Sequence, residues 1–319
     1  MIVWTLNPLS SVQLRGSPPN KHHRLESTPK NAISRRLKLA ITWTDTQYTR
    51  LIELDATEEI LNQTVASNSD LNSAFQKLEN TLVKQQKQQL EELRQVHHRP
   101  QLCRLETNLV NALTDHNFVQ VTTPTILSRN LLSRMSITED HPLNSQIYWL
   151  EKDKCLRPML APHLYYVMKD LLRLWEKPVR IFEIGSCFRK ESEGARHTNE
   201  FTMLNLCEFG LPEENRQERL EELAGIIMGA AEIKKYDFET ESSTVYGSTL
   251  DVVTELGGGL ELGSGAMGPH PLDRAWKITD TWVGIGFGLE RLLMARKNSK
   301  SLGRYSRSIS YLDGARLNL

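Results

Sequence analysis

The sequence is poor in cysteine and has no long apolar run. Its four cysteines, among 319 residues, are Cys103, Cys155, Cys187 and Cys207. No two of them form the CxxC pair typical of zinc or redox sites, so they predict reduced thiols rather than a disulfide framework. No stretch approaches the roughly 18 apolar residues of a membrane span, and the first ten residues lack the features of a secretory signal. These absences predict a cytoplasmic protein without a membrane partner.

A net charge is also absent, because 39 Lys and Arg balance 39 Asp and Glu. The balance hides an asymmetry: residues 1–40 carry seven Lys or Arg against one acid, Glu26. A basic arm suits a phosphate backbone, and a solvated leader is the alternative interpretation. We expect a poorly ordered basic leader over 1–40, a helical region over 41–100 and one larger domain over 101–319.

Hydrophobic periodicity predicts an α+β fold. Helices are expected over 71–98, 102–117, 162–175, 214–232 and 288–297, where apolar residues recur at threes and fours. Strands are expected over 118–124, where Pro124 ends the first, and over 179–189, 200–210, 236–241, 249–254, 259–266 and 281–286. The strands at 179–189 and 200–210 flank one polar loop and predict an antiparallel hairpin. Because strands and helices do not alternate, a doubly wound parallel sheet is excluded.

Three segments carry recognisable chemistry. They are FVQVTTPTI at 118–126, CFRKES with RHTNEFTMLNL over 187–206, and GIGFGLERLL at 284–293. The last could be taken for a dinucleotide loop, but Leu289 stands where the Rossmann fingerprint needs its third glycine. In this order and spacing the three segments resemble motifs 1, 2 and 3 of the class II aminoacyl-tRNA synthetases.

Further segments narrow the resemblance to one family within this class. They include CLRPMLAPHLYYVMKDL, VYGSTLDV and LELGSGAMGPH. From about Trp43 to the C terminus the chain resembles the pyrrolysyl-tRNA synthetase family, which implies the class II catalytic fold, an antiparallel sheet flanked by helices, over 101–319. It departs from that family at His163, where Asn is common, and in the glycine run 257–259. The first 40 residues lack the separate tRNA-binding domain of some members.

The resemblance implies ATP and Mg²⁺ as substrate and ion. The implied catalytic residues are Arg189, Glu191 and Arg291. The forked guanidinium groups of the two arginines suit phosphate. The implied ATP-binding residues are Arg189, Glu191, His197, Phe201, Glu261 and Arg291, with Phe201 stacking on adenine. Glu261 and Ser264 are the implied Mg²⁺ ligands. The alternatives are a surface Arg–Glu pair, a core Phe, a solvated His and a strand with one exposed acid.

The resemblance also implies an amino-acid pocket, in which Asn205 holds the side-chain amide carbonyl of pyrrolysine and Tyr246 closes over its ring. The implied residues are Leu164, Tyr165, Met168, Asn205, Cys207, Tyr246, Ala266, Trp282 and Gly286. Leu164 and Met168 share a helix face, and ordinary core packing explains them equally well. A large apolar cavity with one amide suits a long lysine derivative, whereas free lysine would call for a carboxylate.

The implied activity is therefore pyrrolysine–tRNA ligation, with tRNA(Pyl) and pyrrolysine as partners and a homodimer formed through motif 1. The helical region 41–100 is expected to contact tRNA, and a separate N-terminal tRNA-binding protein is a further implied partner. One alternative is a class II ligase for another bulky apolar amino acid such as phenylalanine. The other alternative is a non-catalytic paralogue that binds tRNA.

Overall fold

A computed structural model describes residues 41–190, 198–256, 259–299 and 301–319. It divides the described chain into two compact units, with the boundary between Gln85 and Gln86. The boundary expected from the sequence lies after residue 100. The predicted leader over 1–40 lies outside the described residues.

The helices have the following bounds: α1 Asp45–Glu53, α2 Glu58–Leu61, α3 Asn68–Glu92, α4 Gln101–Asp115, α5 Arg129–Ser133, α6 Ala161–Leu174, α7 Arg216–Ala230, α8 Asp273–Trp276 and α9 Leu289–Arg296. The strands are β1 Val119–Gln120, β2 Ile126–Ser128, β3 Trp149–Glu151, β4 Lys154–Leu156, β5 Val179–Phe188, β6 Glu200–Phe209, β7 Asp237–Ser243, β8 Gly247–Thr254, β9 Leu260–Gly268, β10 Trp282–Gly288, β11 Tyr311–Leu312 and β12 Ala315–Arg316. The predicted helices and the six long strands therefore lie within a few residues of their expected positions.

The smaller unit, residues 41–85, holds α1, α2 and most of α3. A capping box begins α1, in which the side chains of Thr44 and Gln47 each bond to the other residue's backbone N–H. Trp43 donates from Nε1 to the carbonyl of Ile60 at 2.7 Å, and its ring is tilted by 60° to that of Phe75 at a centroid distance of 6.4 Å. These contacts give the unit a small apolar centre of its own.

The larger unit is built on a seven-stranded sheet in the order β1-β5-β6-β10-β9-β8-β7. All its pairings are antiparallel except that of β1 with β5, which is parallel. The α+β expectation is confirmed, and the parallel edge strand is an addition to it. The strand expected from Phe118 to Pro124 is shorter than predicted: only Val119–Gln120 joins this sheet, and a separate strand, β2 of a three-stranded sheet, begins at Ile126.

Each face of the large sheet is buried. One face packs against α4, α7 and α9, with Leu109, Ile227 and Phe287 among the fully buried residues. The other face packs against α6 and carries the second apolar cluster, which includes Trp276 and Trp282. This second face holds the residues discussed next. No helix among the described residues is long and apolar enough to cross a membrane.

Candidate active site

The central strands align four positions in one row across the sheet. Asn205 on β6 lies opposite Gly286 on β10, and Gly286 lies opposite Ser264 on β9. Ser264 in turn lies opposite Asp251 on β8. Directly opposed residues project to the same face of a sheet. The row therefore places an amide, a bare position, a hydroxyl and a carboxylate side by side.

A β-bulge brings Glu261 to this same face. Strict alternation would send Glu261 and Ser264, three residues apart, to opposite faces. The register between β8 and β9 shifts by one residue, however, so that Val253 opposes Glu261 while Val252 opposes Gly263. Because Val253 and Asp251 share a face, Glu261 faces the same way as Asp251 and Ser264.

The Ser264 hydroxyl donates a short hydrogen bond to Asp251, and both residues are buried. Burial raises the pKa of Asp251. Burial, aided by the charge of Asp251, also raises the pKa of Glu261 to about 8, while Arg291 acts against this shift. The three side chains make a desolvated, oxygen-rich corner.

Arg189 follows β5 directly and is almost fully buried. Its Nε donates to the carbonyl of Pro158 at 2.9 Å, and its guanidinium carbon lies 5.2 Å from the ring centre of Phe201. Phe201 is only partly buried at the start of β6. Glu191 and His197, the other predicted residues of this hairpin, lie outside the described residues.

Helix α9 starts at Leu289 and supplies the second predicted arginine. Arg291 Nη1 donates to the carbonyl of Glu261 at 3.1 Å and lies 3.7 Å from its carboxylate. Glu290 points the other way and accepts from the backbone N–H of Thr202 at 2.8 Å. Burial raises the pKa of Glu290 to about 7. The two residues of the ER pair thus have different surroundings, one beside Glu261 and one inside the core.

The predicted apolar pocket residues converge. Leu164, Tyr165, Met168, Cys207, Tyr246, Ala266 and Trp282 are all buried and belong to one cluster. Tyr165 meets Trp282 edge-on at 5.8 Å, and Tyr246 meets Trp282 at 6.3 Å. Burial raises the pKa of both tyrosines well above its ordinary value, so both hydroxyls stay protonated. The result is an aromatic enclosure against the sheet.

Asn205 is the polar exception in this enclosure. It is fully buried, and neither its amide oxygen nor its amide nitrogen has a hydrogen-bond partner among the described residues. Such groups cost roughly 1–3 kcal/mol when left unsatisfied and are rare in native proteins. The bare position Gly286 lies beside it. The amide is therefore a candidate ligand-binding group.

The family described as tRNA synthetases class II core domain (F) matches residues 71–308. The chain belongs to the class II aminoacyl-tRNA synthetases. A crystal structure of pyrrolysyl-tRNA synthetase from Desulfitobacterium hafniense is similar over 87% of this chain and 99% of that one, with 54% identity and a TM-score of 0.83. A second structure of the D. hafniense enzyme gives 52% identity over 90% of this chain and 99% of that one, with a TM-score of 0.82.

Two curated relatives share shorter matches. The threonine–tRNA ligase of Cupriavidus necator is 30% identical over 95 residues, which are 29% of this chain and 15% of the relative. The elongation factor P–(R)-β-lysine ligase of Proteus mirabilis is 30% identical over 104 residues, which are 32% of this chain and 30% of the relative. The chain thus spans less than a third of either relative at these matches. Class II synthetases as a group use ATP and Mg²⁺, with tRNA and an amino acid as partners.

The donor set of this synthetase fits Mg²⁺. Magnesium prefers hard oxygen ligands and usually takes one or two carboxylates, with the remaining ligands from substrate phosphates and water. Glu261 and Ser264 offer such oxygens on one face of the sheet, and Asp251 orients the Ser264 hydroxyl. Among the described residues, no group of three or more His, Cys, Asp or Glu side chains could hold a metal alone. A Mg²⁺ ion held by Glu261 and Ser264 would therefore need further oxygen ligands from a substrate or water.

Three supporting residues of the synthetase site were not predicted from the sequence. Asp251 orients Ser264, and its position inside a strand gave no signal beyond one acid among apolar neighbours. Asp273 Oδ2 accepts from the Trp282 indole at 2.9 Å, and its Oδ1 lies 3.4 Å from the Tyr165 hydroxyl. Arg157 is the third, in the quoted segment CLRPMLAP. Only the folded chain brings these side chains to their partners.

Arg157 forms a buried ion pair with Glu183, with 2.8 Å between Nη1 and Oε1. Glu183 also accepts from the backbone N–H and the hydroxyl of Thr123 in the motif 1 segment, at 3.0 and 2.7 Å. Arg157 further donates to the carbonyl of Ser186 at 2.8 Å. Because Glu183 lies opposite Asn205, this network fixes β5 and motif 1 next to the pocket.

Proposed function

We propose that the chain is a pyrrolysine–tRNA ligase. A carboxylate oxygen of pyrrolysine attacks the α-phosphorus of ATP, the bond to the bridging oxygen breaks, and pyrrolysyl-adenylate and pyrophosphate form. A hydroxyl of the 3′-terminal ribose of tRNA(Pyl) then attacks the acyl carbon, and AMP leaves. The protein supplies orientation and charge neutralisation rather than a covalent intermediate.

Arg189 and Arg291 are the proposed phosphate-binding residues. The guanidinium of Arg189 is held by the carbonyl of Pro158 and lies close to Phe201. That geometry supports adenine stacking on Phe201, with the phosphates directed toward Arg189. Arg291, beside Glu261 at the start of α9, would lie on the other side of the nucleotide. Glu191 is proposed to contact the adenine edge or the tRNA terminus. His197 is proposed to contact the γ-phosphate.

Glu261 and Ser264 are the proposed Mg²⁺ ligands. When bound, the ion neutralises negative charge on the ATP phosphates. Glu261 has a raised pKa in the free enzyme, so it must lose a proton to act as an anionic ligand. Asp251 keeps the Ser264 hydroxyl proton directed away from the cation.

The side-chain amide of Asn205, which has no hydrogen-bond partner among the described residues, is the observation that supports pyrrolysine as the substrate. Its nitrogen donates to a carbonyl and its oxygen accepts from an N–H, so it complements the amide of an Nε-acylated lysine. The apolar wall of Leu164, Met168 and Cys207 suits a long methylene chain, and Tyr246 covers the terminal ring. Phenylalanine offers no side-chain amide and would leave Asn205 unpaired. This feature favours pyrrolysine over the phenylalanine alternative.

A non-catalytic tRNA-binding paralogue is the other alternative. The burial of Arg189 favours an enzyme, because a scaffold would not need so costly a buried charge, and the partly buried pairing of Arg291 with Glu261 is in keeping with this. Exchange of labelled pyrophosphate into ATP distinguishes the two functions, since only an enzyme that forms the adenylate supports it.

tRNA recognition and assembly complete the proposal. We infer that region 41–100 contacts tRNA, where α3 exposes Lys77, Lys84 and Lys87 toward solvent. A homodimer through motif 1 is supported by the exposed apolar side chains of Val119 and Ile126. A separate N-terminal tRNA-binding protein is a further proposed partner, and we infer a cytoplasmic enzyme because tRNA charging serves translation.

The deciding experiment measures ATP–pyrophosphate exchange with pyrrolysine, an Nε-acylated lysine and phenylalanine in parallel. We expect exchange with the first two, and exchange with phenylalanine alone would reject the proposal. Aminoacylation of tRNA(Pyl) by the full chain and by a variant lacking residues 1–40 then tests the leader. If the truncated variant loses aminoacylation but keeps ATP–pyrophosphate exchange, residues 1–40 bind tRNA.

A further inference from the structure

The turn between β7 and β8 carries Tyr246, and side chains hold both polar backbone groups of that residue. Ser243 Oγ accepts from the Tyr246 N–H at 3.3 Å. On the other side, His270 Nε2 lies 3.0 Å from the Tyr246 carbonyl oxygen. Gly247 follows with a φ of +67°, a left-handed conformation that favours glycine. The turn is thus fixed from two directions while its tyrosine points into the pocket.

The hydrogen bonds of His270 define its tautomer. The backbone N–H of Leu272 donates to His270 Nδ1 at 3.1 Å, so Nδ1 is an acceptor and carries no proton. In the neutral ring the proton is then on Nε2, which donates to the Tyr246 carbonyl. The centroids of the His270 and Tyr246 rings also lie 5.5 Å apart, with an angle of 64° between the ring planes. His270 therefore uses both nitrogens, one locally and one across to the turn.

The segment that carries His270 is itself joined to the pocket. Asp273 accepts from the His270 backbone N–H at 2.7 Å and from the Trp282 indole at 2.9 Å. Because Trp282 packs against the Tyr246 ring, a closed circuit of contacts runs from Trp282 through Asp273 and His270 to Tyr246. Movement of the turn away from the pocket must break the His270 hydrogen bond.

We propose that His270 is a positioning residue for amino-acid specificity, which holds Tyr246 against the aromatic wall and so sets how tightly the far end of the substrate is enclosed. The proposal rests on the proposed function for its substrate and on the described contacts for its geometry. A local role is the competing explanation, in which His270 merely accepts from Leu272 at the start of α8.

Two substitutions separate these roles. In His270→Asn the side-chain oxygen replaces Nδ1 and still accepts from Leu272, but the side chain is too short to reach Tyr246. In His270→Gln the amide nitrogen replaces Nε2 and reaches the Tyr246 carbonyl, while the Leu272 contact is lost. A positioning role predicts that Asn is the damaging change and Gln the tolerated one.

For His270→Asn we expect the KM for a ring-bearing Nε-acylated lysine to rise about five- to tenfold, with the KM for ATP unchanged. His270→Gln should stay within about twofold of the parent enzyme. In a Tyr246→Ala background the Asn substitution should add nothing further, because the effect passes through Tyr246. Equal effects of Asn and Gln, or a full effect of Asn without Tyr246, would overturn the proposal.

Hydrogen exchange in the free enzyme tests the same contact without any substrate. Amides of the peptide 243–250 should exchange faster in His270→Asn than in His270→Gln. Equal exchange rates would overturn the role of His270, whatever the enzyme acylates. If the parent enzyme activates no lysine derivative while this difference persists, the substrate assignment fails and the positioning role stands.

Discussion

Asn205 and Gly286 lie directly opposite each other on neighbouring antiparallel strands. A Cβ atom on Gly286 would lie 3.8 Å from Asn205 Cγ and 2.9 Å from Met203 Cε. The absence of that side chain leaves the buried Asn205 amide without a cover on the sheet. The pair therefore combines a buried polar group that needs a partner with a neighbouring position that has no side chain to cover it.

Asn205→Leu should separate substrate selection from stability. The leucine has a similar size and removes the unsatisfied amide, so the free energy of unfolding should rise by about 1–3 kcal/mol. The kcat/KM for pyrrolysine should fall at least about tenfold, while ATP binding is retained. Equal losses for pyrrolysine and ATP would contradict the pocket assignment. Denaturant titration and pyrophosphate exchange provide the two measurements.

Gly286→Ala should raise the KM for pyrrolysine with little loss of stability. The added methyl group meets the flexible end of Met203, which can move, and narrows the space beside Asn205. Gly268→Ala is the contrasting variant, because its Cβ would lie 1.9 Å from Trp282 Nε1. We expect that variant to lower the unfolding midpoint strongly. A fall in the unfolding midpoint of Gly286→Ala as large as that of Gly268→Ala would show that glycine is needed at 286 for stability and not for substrate binding.

Arg189→Lys should lower kcat for adenylate formation by about 10²–10³ with every amino acid tested. Lysine keeps the charge but lacks the planar fork that binds phosphate through two parallel hydrogen bonds. Arg219→Lys serves as the control, since Arg219 pairs with Glu208 and Glu222 away from the predicted site residues. A selective loss with pyrrolysine alone would move Arg189 from the nucleotide to the amino-acid pocket.

Arg157→Met should destabilise the larger unit by about 3–5 kcal/mol, because it leaves Glu183 buried without its charge partner. The matched change Arg94→Met breaks the exposed pair of Arg94 with Glu91 and should not measurably alter stability. Chemical denaturation of both variants checks the difference. A negligible effect of Arg157→Met would show that the ion pair is not needed to fix motif 1 and β5.

Glu290→Gln should flatten part of the pH dependence of stability. Burial raises the pKa of Glu290 from 4.5 to about 7 in the folded protein. Between these values the unfolded chain releases a proton that the folded chain keeps, so stability falls as pH rises through this window by about 3 kcal/mol in total. The variant, which has no such proton, should lose less stability from pH 5 to 7. Parallel pH slopes for both proteins would contradict the assignment.

Much of the fold was predictable because local patterns agreed with the tertiary structure. The hairpin of β5 and β6 and helices α4, α6, α7 and α9 lie within a few residues of their expected positions. The strand expected to end at Pro124 was predicted too long, because the alternation continues beyond Gln120 while the pairing with β5 does not, and Ile126 already pairs with β4. Alternation records which side chains are buried and does not record which strand provides the hydrogen bonds.

The sequence by itself determined the class of protein, since the three motifs, their order and the apolar periodicity are local features of the chain. It also identified Arg189, Asn205, Glu261 and Ser264 as candidates. Only the tertiary structure decided how they meet. A one-residue bulge turns Glu261 to the face of Ser264, and strand register sets Gly286 against Asn205. Register and bulges depend on pairing between distant segments, as do the contacts of Asp251, Asp273 and His270.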